Sequence, residues 1–435
     1  MDIKTSEMTV VIEAGGRGTR IASIASDIPK PMISICGKSI LEHQIENLKK
    51  NGLSKIILVI GYLGGVIQEY FGDGSKFGVE IDYYVETEPL GSAGALFKIR
   101  EKTSRDFLVI NGDIIFDVDF SSFIEFHKTK KAMCSLAAHP NSHPFDSSLL
   151  VTDDNQCVSA WLSKEDKREY YSNLVNAGLH ILSHSLLDEA EKICDFSKKK
   201  IDLDREIIKP LLHTKKIFAY RTSEYIKDMG TPDRYHQVEN DMQSGIIALR
   251  NLSCKQRAVF LDRDGTLNKE RGFITSPDDL ELIDGVSDAV KAINKKGLLC
   301  IVITNQPIIA RGEASLSLLH LIHKKLETEL GSQGAYIDAI YFCPHHPDSG
   351  FRGERPEYKI DCECRKPKPG MLLKAAKDFN IDLSASFMVG DSTKDAIAGS
   401  RAGCKSFLLK TEKNTELPQG AQWISSLGEF VLKYL

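Results

Sequence analysis

Hydrophobic residues fall into short runs along the chain, and these runs alternate with amphipathic stretches from residue 8 onward. Met8 to Ile12 is an apolar run that ends at glycines, and residues 55–60 and 107–111 are further apolar runs of strand length. Residues 40–51 carry apolar side chains at helical spacing, and Gly52 follows as a helix stop. This alternation predicts a mainly parallel sheet with helices on both faces.

The same alternation restarts at residue 257. Arg257 to Leu261, Leu299 to Ile303 and Phe387 to Val389 are predicted strands, and Val286 to Lys296 is a predicted amphipathic helix. Residues 233–255 have the pattern of a polar helix followed by a short connection.

Chain length supports two domains rather than one. A chain of 435 residues is longer than the chain length that one hydrophobic core normally stabilises. We therefore predict an α/β protein with domains at 1–250 and 256–435, each a mainly parallel sheet with helices on both faces.

Composition narrows the range of partners. The chain is 42% hydrophobic and 27% charged, and its net charge is only −4. This balance does not favour binding of nucleic acid or of a membrane surface, so small-molecule substrates are expected.

The sequence shows no secretory segment and no apolar run of membrane-spanning length. The ten cysteines are mostly scattered singly, which is typical of reduced thiols in the cytoplasm. The sequence leaves open whether the protein forms a homo-oligomer.

A glycine-rich loop follows the first predicted strand, where ligands of parallel sheets bind. Glycines allow backbone N–H groups to approach phosphate oxygens, and nearby cations neutralise a triphosphate. A second small-residue loop at 88–94 is able to lie against a sugar or base. Two carboxylates further along are candidate magnesium ligands. The candidate residues are Gly15, Gly16, Gly18, Thr19, Arg20, Lys30, Gly91, Asp113 and Asp228.

Residues 8–240 resemble the sugar-1-phosphate nucleotidyltransferases, whose pattern is Gly-Gly-x-Gly-Thr-Arg followed by Pro-Lys-Pro. The resemblance implies a Rossmann-like fold, binding of the sugar by Asn176 and of its phosphate by Lys164, and catalysis by Mg²⁺, Arg20 and Lys30. It also implies in-line attack of a sugar 1-phosphate on the α-phosphorus of a nucleotide. Glu13 departs from the family, which has an apolar residue there. Three interpretations stay open: it repels the triphosphate, contacts the base, or is exposed.

A pair of carboxylates, Asp262 and Asp264, closes the predicted strand at 257–261. One carboxylate is able to attack phosphorus while the other transfers protons. Phosphate-binding and metal-binding residue types follow in order, at the ends of later strands or in the loops between them. These are Thr304, Asn305, Lys366, Asp391 and Asp395.

Residues 257–412 resemble the phosphatases of the haloacid dehalogenase type. The resemblance makes Asp262 the nucleophile that forms an aspartyl-phosphate and Asp264 the acid/base. It implies that Asp262, Asp391 and the backbone carbonyl of Asp264 bind Mg²⁺. Thr304 and Lys366 correspond to the groups that hold the transferring phosphoryl group.

Three cysteines and a histidine occur in two close pairs, Cys343 with His345 and Cys362 with Cys364. Three thiolates and an imidazole are the ligand set of a structural zinc site. Such a site would fix the loop that carries Arg365 and Lys366. The alternate spacing favours His345 over the adjacent His346.

This cysteine loop resembles those of the D-glycero-D-manno-heptose 1,7-bisphosphate 7-phosphatases and of the histidinol-phosphate phosphatases. Thr304-Asn305-Gln306 and the Cys-Arg-Lys-Pro segment that contains Arg365 belong to the same pattern. One departure is Pro307-Ile308, where the heptose enzymes usually carry Ser-Gly.

The two resemblances together imply a bifunctional enzyme that acts twice on one sugar. Removal of the 7-phosphate from the heptose bisphosphate leaves a heptose 1-phosphate, which a guanylyltransferase converts with GTP to GDP-heptose and pyrophosphate. An alternative keeps both folds but changes the substrates: a hexose-1-phosphate uridylyl-, thymidylyl- or cytidylyltransferase joined to a phosphatase for another small phosphoester, such as histidinol phosphate. A third interpretation makes the N-terminal half a non-catalytic nucleotide sensor.

Overall fold

The apolar runs form the central strands of two sheets in the computed structural model, which describes residues 7–16, 28–411 and 416–435. The chain divides into two compact units. The first comprises Met1–His139, Leu150–Leu162 and Asn176–Asn251, and the second comprises Pro140–Leu149, Ser163–Val175 and Leu252–Leu435. The second unit thus includes two segments from within the predicted N-terminal domain.

Strands of the N-terminal region form a nine-stranded sheet and two small two-stranded sheets among the described residues. The strands are β1 (Thr9–Glu13), β2 (Ser34–Ile35), β3 (Lys38–Ser39), β4 (Lys55–Ile60), β5 (Glu80–Val85), β6 (Asp106–Asn111), β7 (Ile114–Asp117), β8 (Cys134–His139), β9 (Leu149–Thr152), β10 (Val158–Leu162), β11 (Val175–Ser183), β12 (Ile217–Arg221) and β13 (Tyr225–Asp228). The large sheet runs in the order β10-β9-β11-β6-β1-β4-β5, with β8 and β12 paired beside β11. Strands β6, β1, β4 and β5 are parallel, whereas β11 is antiparallel to β6.

The helices of this region are α1 (Ile40–Lys50), α2 (Gly64–Phe71), α3 (Gly91–Ile99), α4 (Phe120–Lys130), α5 (His184–Glu191), α6 (Pro232–Gln243) and α7 (Ile246–Leu249). Helix α1 begins where the Ser39 hydroxyl accepts the Glu42 N–H, which satisfies a backbone donor that has no partner within the helix. Its apolar face, including Leu41, Ile45 and Leu48, is buried against strand residues of the sheet. The helix therefore covers the face that its sequence pattern predicts.

The second unit contains a six-stranded sheet that is parallel throughout, in the order β16-β15-β14-β17-β18-β19. Its strands are β14 (Ala258–Leu261), β15 (Leu299–Asn305), β16 (Ala339–Cys343), β17 (Phe387–Gly390), β18 (Lys405–Leu409) and β19 (Ala421–Ile424). Its helices are α8 (Val286–Lys295), α9 (Leu316–Ser332), α10 (Gly370–Asp378), α11 (Thr393–Ala402) and α12 (Leu427–Tyr434). Separate hydrophobic clusters include opposite faces of β14, with Val259 in one and Phe260 in the other.

The predicted α/β class is confirmed, and the predicted strands and helices occur within one or two residues of their expected positions. The polar stretch at 233–255 contains α6 and the one-turn helix α7. No helix among the described residues combines the length and the apolar character that a membrane span requires.

Candidate active sites

The described part of the glycine loop lies directly beyond β1. A Cβ atom on Gly15 would come within 3.0 Å of Glu86 Oε2, so the absence of a side chain there makes room for this carboxylate. Gly16 has open space where its Cβ would be. Gly18, Thr19 and Arg20, which the sequence predicts to bind and activate the triphosphate, lie outside the described residues.

Charged residues are concentrated at the ends of β7 and β13. Lys30 Nζ forms an ion pair with Asp113. Asp228 accepts two hydrogen bonds from Arg234 Nη1, at 3.0 and 2.8 Å. The antiparallel pairing of β7 with β13, continued by a hydrogen bond from Met229 N–H to the Asp113 carbonyl, brings the two segments side by side. The two predicted magnesium ligands therefore lie on adjacent segments, Asp113 in the turn directly before β7 and Asp228 at the end of β13.

Glu13 is half-buried at the end of β1, which removes the interpretation that it is an exposed residue. Burial raises the pKa of its carboxyl group well above the usual range, and the nearby carboxylates of Asp204 and Glu86 raise it further. Its backbone carbonyl accepts a hydrogen bond from Gly112 N–H at 3.0 Å. A Cβ atom on Gly112 would lie 2.5 Å from that oxygen, so only glycine fits there.

Asn176 lies in a hydrogen-bonded network on β11. Its Nδ2 donates to Asp204 Oδ2 at 3.2 Å, and its Oδ1 lies 2.9 Å from His180 Nε2. Burial and the neighbouring Asp202 raise the pKa of Asp204 to about 7. Gly178 has a φ of +72°, and a Cβ atom there would meet Asn111 Nδ2 at 2.4 Å. The polar end of Asn176 is thus fixed by its neighbours.

Gly91 belongs to the small-residue loop and begins α3 with a φ of +79°. A Cβ atom on Gly91 would lie 2.4 Å from the Ile201 carbonyl, so this loop packs tightly on the segment before Asp204. Lys164, by contrast, is exposed in a turn closed by a hydrogen bond from Asp166 N–H to the Ser163 carbonyl.

Two carboxylates near this first site were not among the sequence candidates. Glu86 follows β5 directly, and its Oε1 accepts the Leu90 N–H at 3.2 Å. Asp204 lies more than 100 residues from Glu86 in the sequence, in a short π-helix, Leu203–Ile208. Glu86 follows a predictable strand directly, and this position marks it as a candidate site residue. No sequence motif marks Asp204.

An ion-pair network forms the centre of the second site. Asp262 follows β14, and its Oδ1 accepts a hydrogen bond from Lys366 Nζ at 2.7 Å. Lys366 Nζ also lies 2.6 Å from Asp395 Oδ1 and donates to the Ile303 carbonyl at 2.7 Å. Burial opposes the charge on Lys366, but the two carboxylates outweigh this effect and raise its pKa. The lysine is therefore a buried cation between two strand ends.

Three carboxylates of this site, from Asp262, Asp391 and Asp395, have oxygens within 4.8 Å of one another. Burial and the Asp395 charge raise the pKa of Asp262 well above its usual range and that of Asp391 to about 7. A Cβ atom on Gly265 would lie 2.2 Å from Asp391 Oδ2. The turn after β14 thus leaves room for Asp391 only because residue 265 is glycine.

The Asp264 carboxylate is not part of this group of three. Its oxygens accept hydrogen bonds from Arg263 at 2.9–3.1 Å, from Asn268 Nδ2 at 3.1 Å and from Gln306 Nε2 at 2.8 Å. The third carboxylate of the group belongs to Asp395, which the sequence predicts only as one of several later phosphate-binding or metal-binding residues. Its own backbone position is fixed by a capping box with Ser392 at the start of α11.

The other predicted residues of this half surround the same cavity, which has a volume of about 390 Å³. Asn305 and Lys366 exchange two hydrogen bonds of 3.0 Å between the Asn305 amide and the Lys366 backbone. Arg365 donates to the His345 carbonyl at 3.1 Å. The cavity is lined by Asp262, Asp264, Glu270, Gly272, Phe273, Ile274, Thr304, Asn305, Gln306, Pro307, Arg365, Lys366, Asp391, Ser392, Lys394 and Asp395. Among the polar residues of this lining, Glu270 was not a sequence candidate, and Gln306 was named only as part of the Thr304-Asn305-Gln306 motif, without a role.

The predicted cysteine and histidine ligands converge. The three sulfur atoms of Cys343, Cys362 and Cys364 lie 3.2–3.4 Å from one another, and His345 Nδ1 lies 3.4 Å from Cys364 Sγ. These sulfur distances are too long for a disulfide. Hydrogen bonding from Cys343 lowers the pKa of Cys364 to about 5. His346 is turned elsewhere, and its Nδ1 accepts the Asp348 N–H at 3.2 Å.

The donor atoms of each cluster match a different kind of ion. Three carboxylates around a turn that tolerates only glycine offer the hard oxygen ligands of Mg²⁺. Three sulfur atoms and one imidazole nitrogen, all within 4.8 Å of one another, offer a four-ligand set of the structural zinc type.

Comparison with known proteins gives matches for both halves. Residues 9–245 match the family model described as nucleotidyl transferase, and residues 363–429 match the model described as HAD-hydrolase-like. A D-glycero-beta-D-manno-heptose-1,7-bisphosphate 7-phosphatase from Pasteurella multocida (strain Pm70) is 43% identical over 159 residues, which are 36% of this chain and 84% of that relative. The protein of the same name from Escherichia coli (strain K12) is 40% identical over 171 residues, 38% of this chain and 87% of the relative.

Among solved structures, HddC from Yersinia pseudotuberculosis is 27% identical. It covers 54% of this chain and 99% of its own, with a TM-score of 0.46. The sequence matches confirm both predicted resemblances and both predicted enzyme classes, a nucleotidyltransferase and a phosphatase.

Proposed function

The chain belongs both to the nucleotidyl transferase family and to the D-glycero-beta-D-manno-heptose-1,7-bisphosphate 7-phosphatase family, and we propose that its two sites act in sequence on one heptose. The phosphatase site, in 256–435, removes the 7-phosphate of the heptose 1,7-bisphosphate. The nucleotidyltransferase site, in 1–250, then transfers GMP from GTP to the remaining heptose 1-phosphate.

One observation carries this proposal: both families occur on the same chain. Hydrolysis of the 7-phosphate leaves a sugar that still bears its 1-phosphate, which is the type of acceptor that a sugar-1-phosphate nucleotidyltransferase uses. GTP is the proposed donor because the sequence resemblance implies a guanylyltransferase as the enzyme that consumes the heptose 1-phosphate. The enzyme is assigned to the cytoplasm, where nucleoside triphosphates are made and where its ten cysteines, none of them in a disulfide, stay reduced.

In the phosphatase site, Asp262 attacks the phosphorus of the 7-phosphate. A bond forms between a carboxylate oxygen and phosphorus while the bond from phosphorus to O7 breaks, and O7 takes a proton from Asp264. Water then attacks phosphorus and gives a proton to Asp264, which releases inorganic phosphate and free Asp262. Lys366 and Thr304 hold the phosphoryl oxygens, and Arg365 of the Cys-Arg-Lys-Pro segment binds the substrate.

In the nucleotidyltransferase site, an oxygen of the sugar 1-phosphate attacks the α-phosphorus of GTP and pyrophosphate leaves. Arg20 and Lys30 neutralise the phosphates, while Gly15, Gly16, Gly18 and Thr19 bring backbone N–H groups to them. Asn176 and Lys164 bind the sugar phosphate, and Gly91 lies against the nucleotide. No covalent intermediate on the protein is needed.

Metal ions complete both sites. Mg²⁺, when bound, supplies positive charge that stabilises phosphate oxygens in the transition state. Asp113 and Asp228 hold it in the first site. In the second, Asp262, Asp391 and the Asp264 backbone carbonyl hold it, with Asp395 adjacent. Cys343, His345, Cys362 and Cys364 hold a structural Zn²⁺.

The test is incubation of the protein with each anomer of the heptose 1,7-bisphosphate and with GTP, UTP, dTTP or CTP. The products are identified by mass. We expect inorganic phosphate, pyrophosphate and GDP-heptose. A sugar nucleotide formed only with UTP, dTTP or CTP would contradict the choice of GTP. No phosphate release from either anomer would contradict the choice of heptose.

A further inference from the structure

The Asp264 carboxylate is anchored from two directions. Arg263 and Asn268, which belong to the same turn as Asp264, donate to its oxygens at 2.9–3.1 Å. Gln306, at the end of β15, donates from Nε2 to Asp264 Oδ2 at 2.8 Å. Among the described residues, Gln306 is the only one outside that turn that hydrogen-bonds to this carboxylate. It alone fixes Asp264 relative to the neighbouring strand.

Gln306 is itself held rigidly. Its side chain is buried, and its Nε2 also donates to Thr304 Oγ1 at 2.8 Å, so both amide hydrogens are used. Its backbone N–H donates to the Cys343 carbonyl at 2.7 Å. Pro307 disfavours the helical conformation for the residue before it, and Ile308 is fully buried in a small hydrophobic cluster. The departure at Pro307-Ile308 therefore stiffens the backbone that carries Gln306.

These contacts join two parts of the cavity. Asp264 and Thr304 both line it, on different strand ends, and one amide group of Gln306 bonds to both. Proton transfer requires the donor oxygen to stay within hydrogen-bond distance of the leaving oxygen. We propose that Gln306 is a positioning residue that holds the Asp264 carboxyl group where it protonates the leaving oxygen of the substrate. This inference rests on the phosphatase part of the proposed function.

The proposed role has a chemical signature. As the bond between phosphorus and the leaving oxygen breaks, that oxygen takes its proton from Asp264, and the need for the proton rises with the basicity of the oxygen. An alkoxide such as that of a sugar needs protonation. A 4-nitrophenolate leaves readily without it. A misplaced Asp264 therefore slows the first step with an alkyl phosphate and spares the first step with 4-nitrophenyl phosphate. The second step, in which Asp264 takes a proton from water, is the same for both substrates, so the difference between them appears in kcat/KM.

The experiment compares Gln306→Met with the wild-type full-length protein on glycerol phosphate and 4-nitrophenyl phosphate. Methionine keeps the approximate volume of the side chain and removes both donors. We expect kcat/KM for glycerol phosphate to fall about 10- to 100-fold, because it reports the step in which the leaving oxygen departs and general acid catalysis depends on position. We expect kcat/KM for 4-nitrophenyl phosphate to fall less than about 3-fold, because that leaving group needs little protonation.

Two further variants separate positioning from folding. Gln306→Glu replaces the donor by an acceptor facing Asp264, so we expect a larger loss with glycerol phosphate than for methionine. Gln256→Met removes another buried glutamine of the same unit, whose Nε2 donates to the Cys254 carbonyl, and serves as the matched control. It should leave the ratio of the two substrate rates at the wild-type value.

Equal losses of kcat/KM with both substrates, or no loss of kcat/KM with glycerol phosphate, would overturn the inference. A lower melting temperature accompanied by equal losses would assign Gln306 a structural role only. Failure of the proposed function gives a different result: the wild type would leave heptose 1,7-bisphosphate intact, while the ratio between the two simple phosphates would still report on Gln306.

Discussion

Single ionisable residues in both sites lie in places where water is largely excluded. Lys366 is 3% exposed and contacts two carboxylates, from Asp262 and Asp395. Glu13 and Asp204 in the first site have raised pKa values because burial disfavours their charged forms. Such groups make stability sensitive to substitution and to pH, and both effects are measurable.

Lys366→Met should destabilise the second unit. The substitution leaves two buried carboxylates without their cation, which costs roughly 3 kcal/mol of unfolding free energy near pH 8. The loss should be smaller at pH 5, because without the cation the carboxylates take up protons more readily in the folded state. Chemical denaturation at both pH values measures it.

Lys368→Met is the matched control for this prediction. Lys368 pairs at 2.8 and 3.2 Å with Asp361 and Glu363, whose side chains are largely exposed. Exposed pairs contribute below about 1 kcal/mol. Equal destabilisation by the two substitutions would contradict the central role of Lys366.

Asp204→Asn should change how the stability of the first unit depends on pH. The pKa of Asp204 in the folded protein is raised to about 7, so folding favours the neutral carboxyl group. The stability of the folded unit therefore falls as pH rises from about 4 to about 7, because the unfolded chain loses this proton first. Asparagine removes that loss. The variant should match the wild type near pH 4 and exceed it by up to about 4 kcal/mol at pH 8.

Denaturation curves across pH 4 to 8 check this prediction, with Asp154→Asn, a substitution in an exposed turn, as the control. A constant difference between Asp204→Asn and the wild type over the whole range would contradict the assignment of the shift to Asp204.

At the scale of elements, strand ends and one loop bring the phosphatase residues together. The carbonyls of Cys343 and His345 accept hydrogen bonds from Gln306 N–H and from Arg365 Nη1. The cysteine and histidine cluster therefore anchors two sides of the cavity through its own backbone. A metal ion in the cluster would fix both.

Cys364→Ser should abolish zinc binding and phosphatase activity and leave nucleotidyl transfer intact. Loss of one thiolate from a four-ligand site removes most of its affinity, and the loop that carries Arg365 and Lys366 then loses its anchor. Metal content by mass spectrometry and the two activity assays provide the measurement.

Cys254→Ser is the control, because Cys254 is an exposed cysteine outside the cluster. A full complement of zinc in Cys364→Ser, or full phosphatase activity without zinc, would contradict the role given to the cluster.

Much of the element scale follows from the sequence alone. Apolar runs predict the strands, and parallel sheets place the ends of those strands at one edge, so Asp262, Thr304 and Asp391 were expected together. The hydrogen-bond partners were not predictable. Gln306 and Asp204 contact residues that are distant in sequence, and no local pattern encodes which polar groups meet when strand ends are brought together.

At the scale of the whole molecule, the chain carries two chemistries that suit consecutive steps on one substrate. Each unit has its own sheet and core, and the predicted residues of the two sites, apart from Lys164, fall in separate units. Each step is therefore expected to be separable by substitution within its own half of the sequence. In the proposed function, the heptose 1-phosphate made by the phosphatase links the two activities.

The most direct measurement supplies Asp262→Asn, Asp113→Ala and a mixture of the two with heptose 1,7-bisphosphate and GTP, followed by mass analysis. We expect no GDP-heptose from either variant alone, accumulation of heptose 1-phosphate with Asp113→Ala, and GDP-heptose from the mixture. Asp262→Asn should still make GDP-heptose from supplied heptose 1-phosphate. GDP-heptose formed from the bisphosphate by either variant alone would contradict the account.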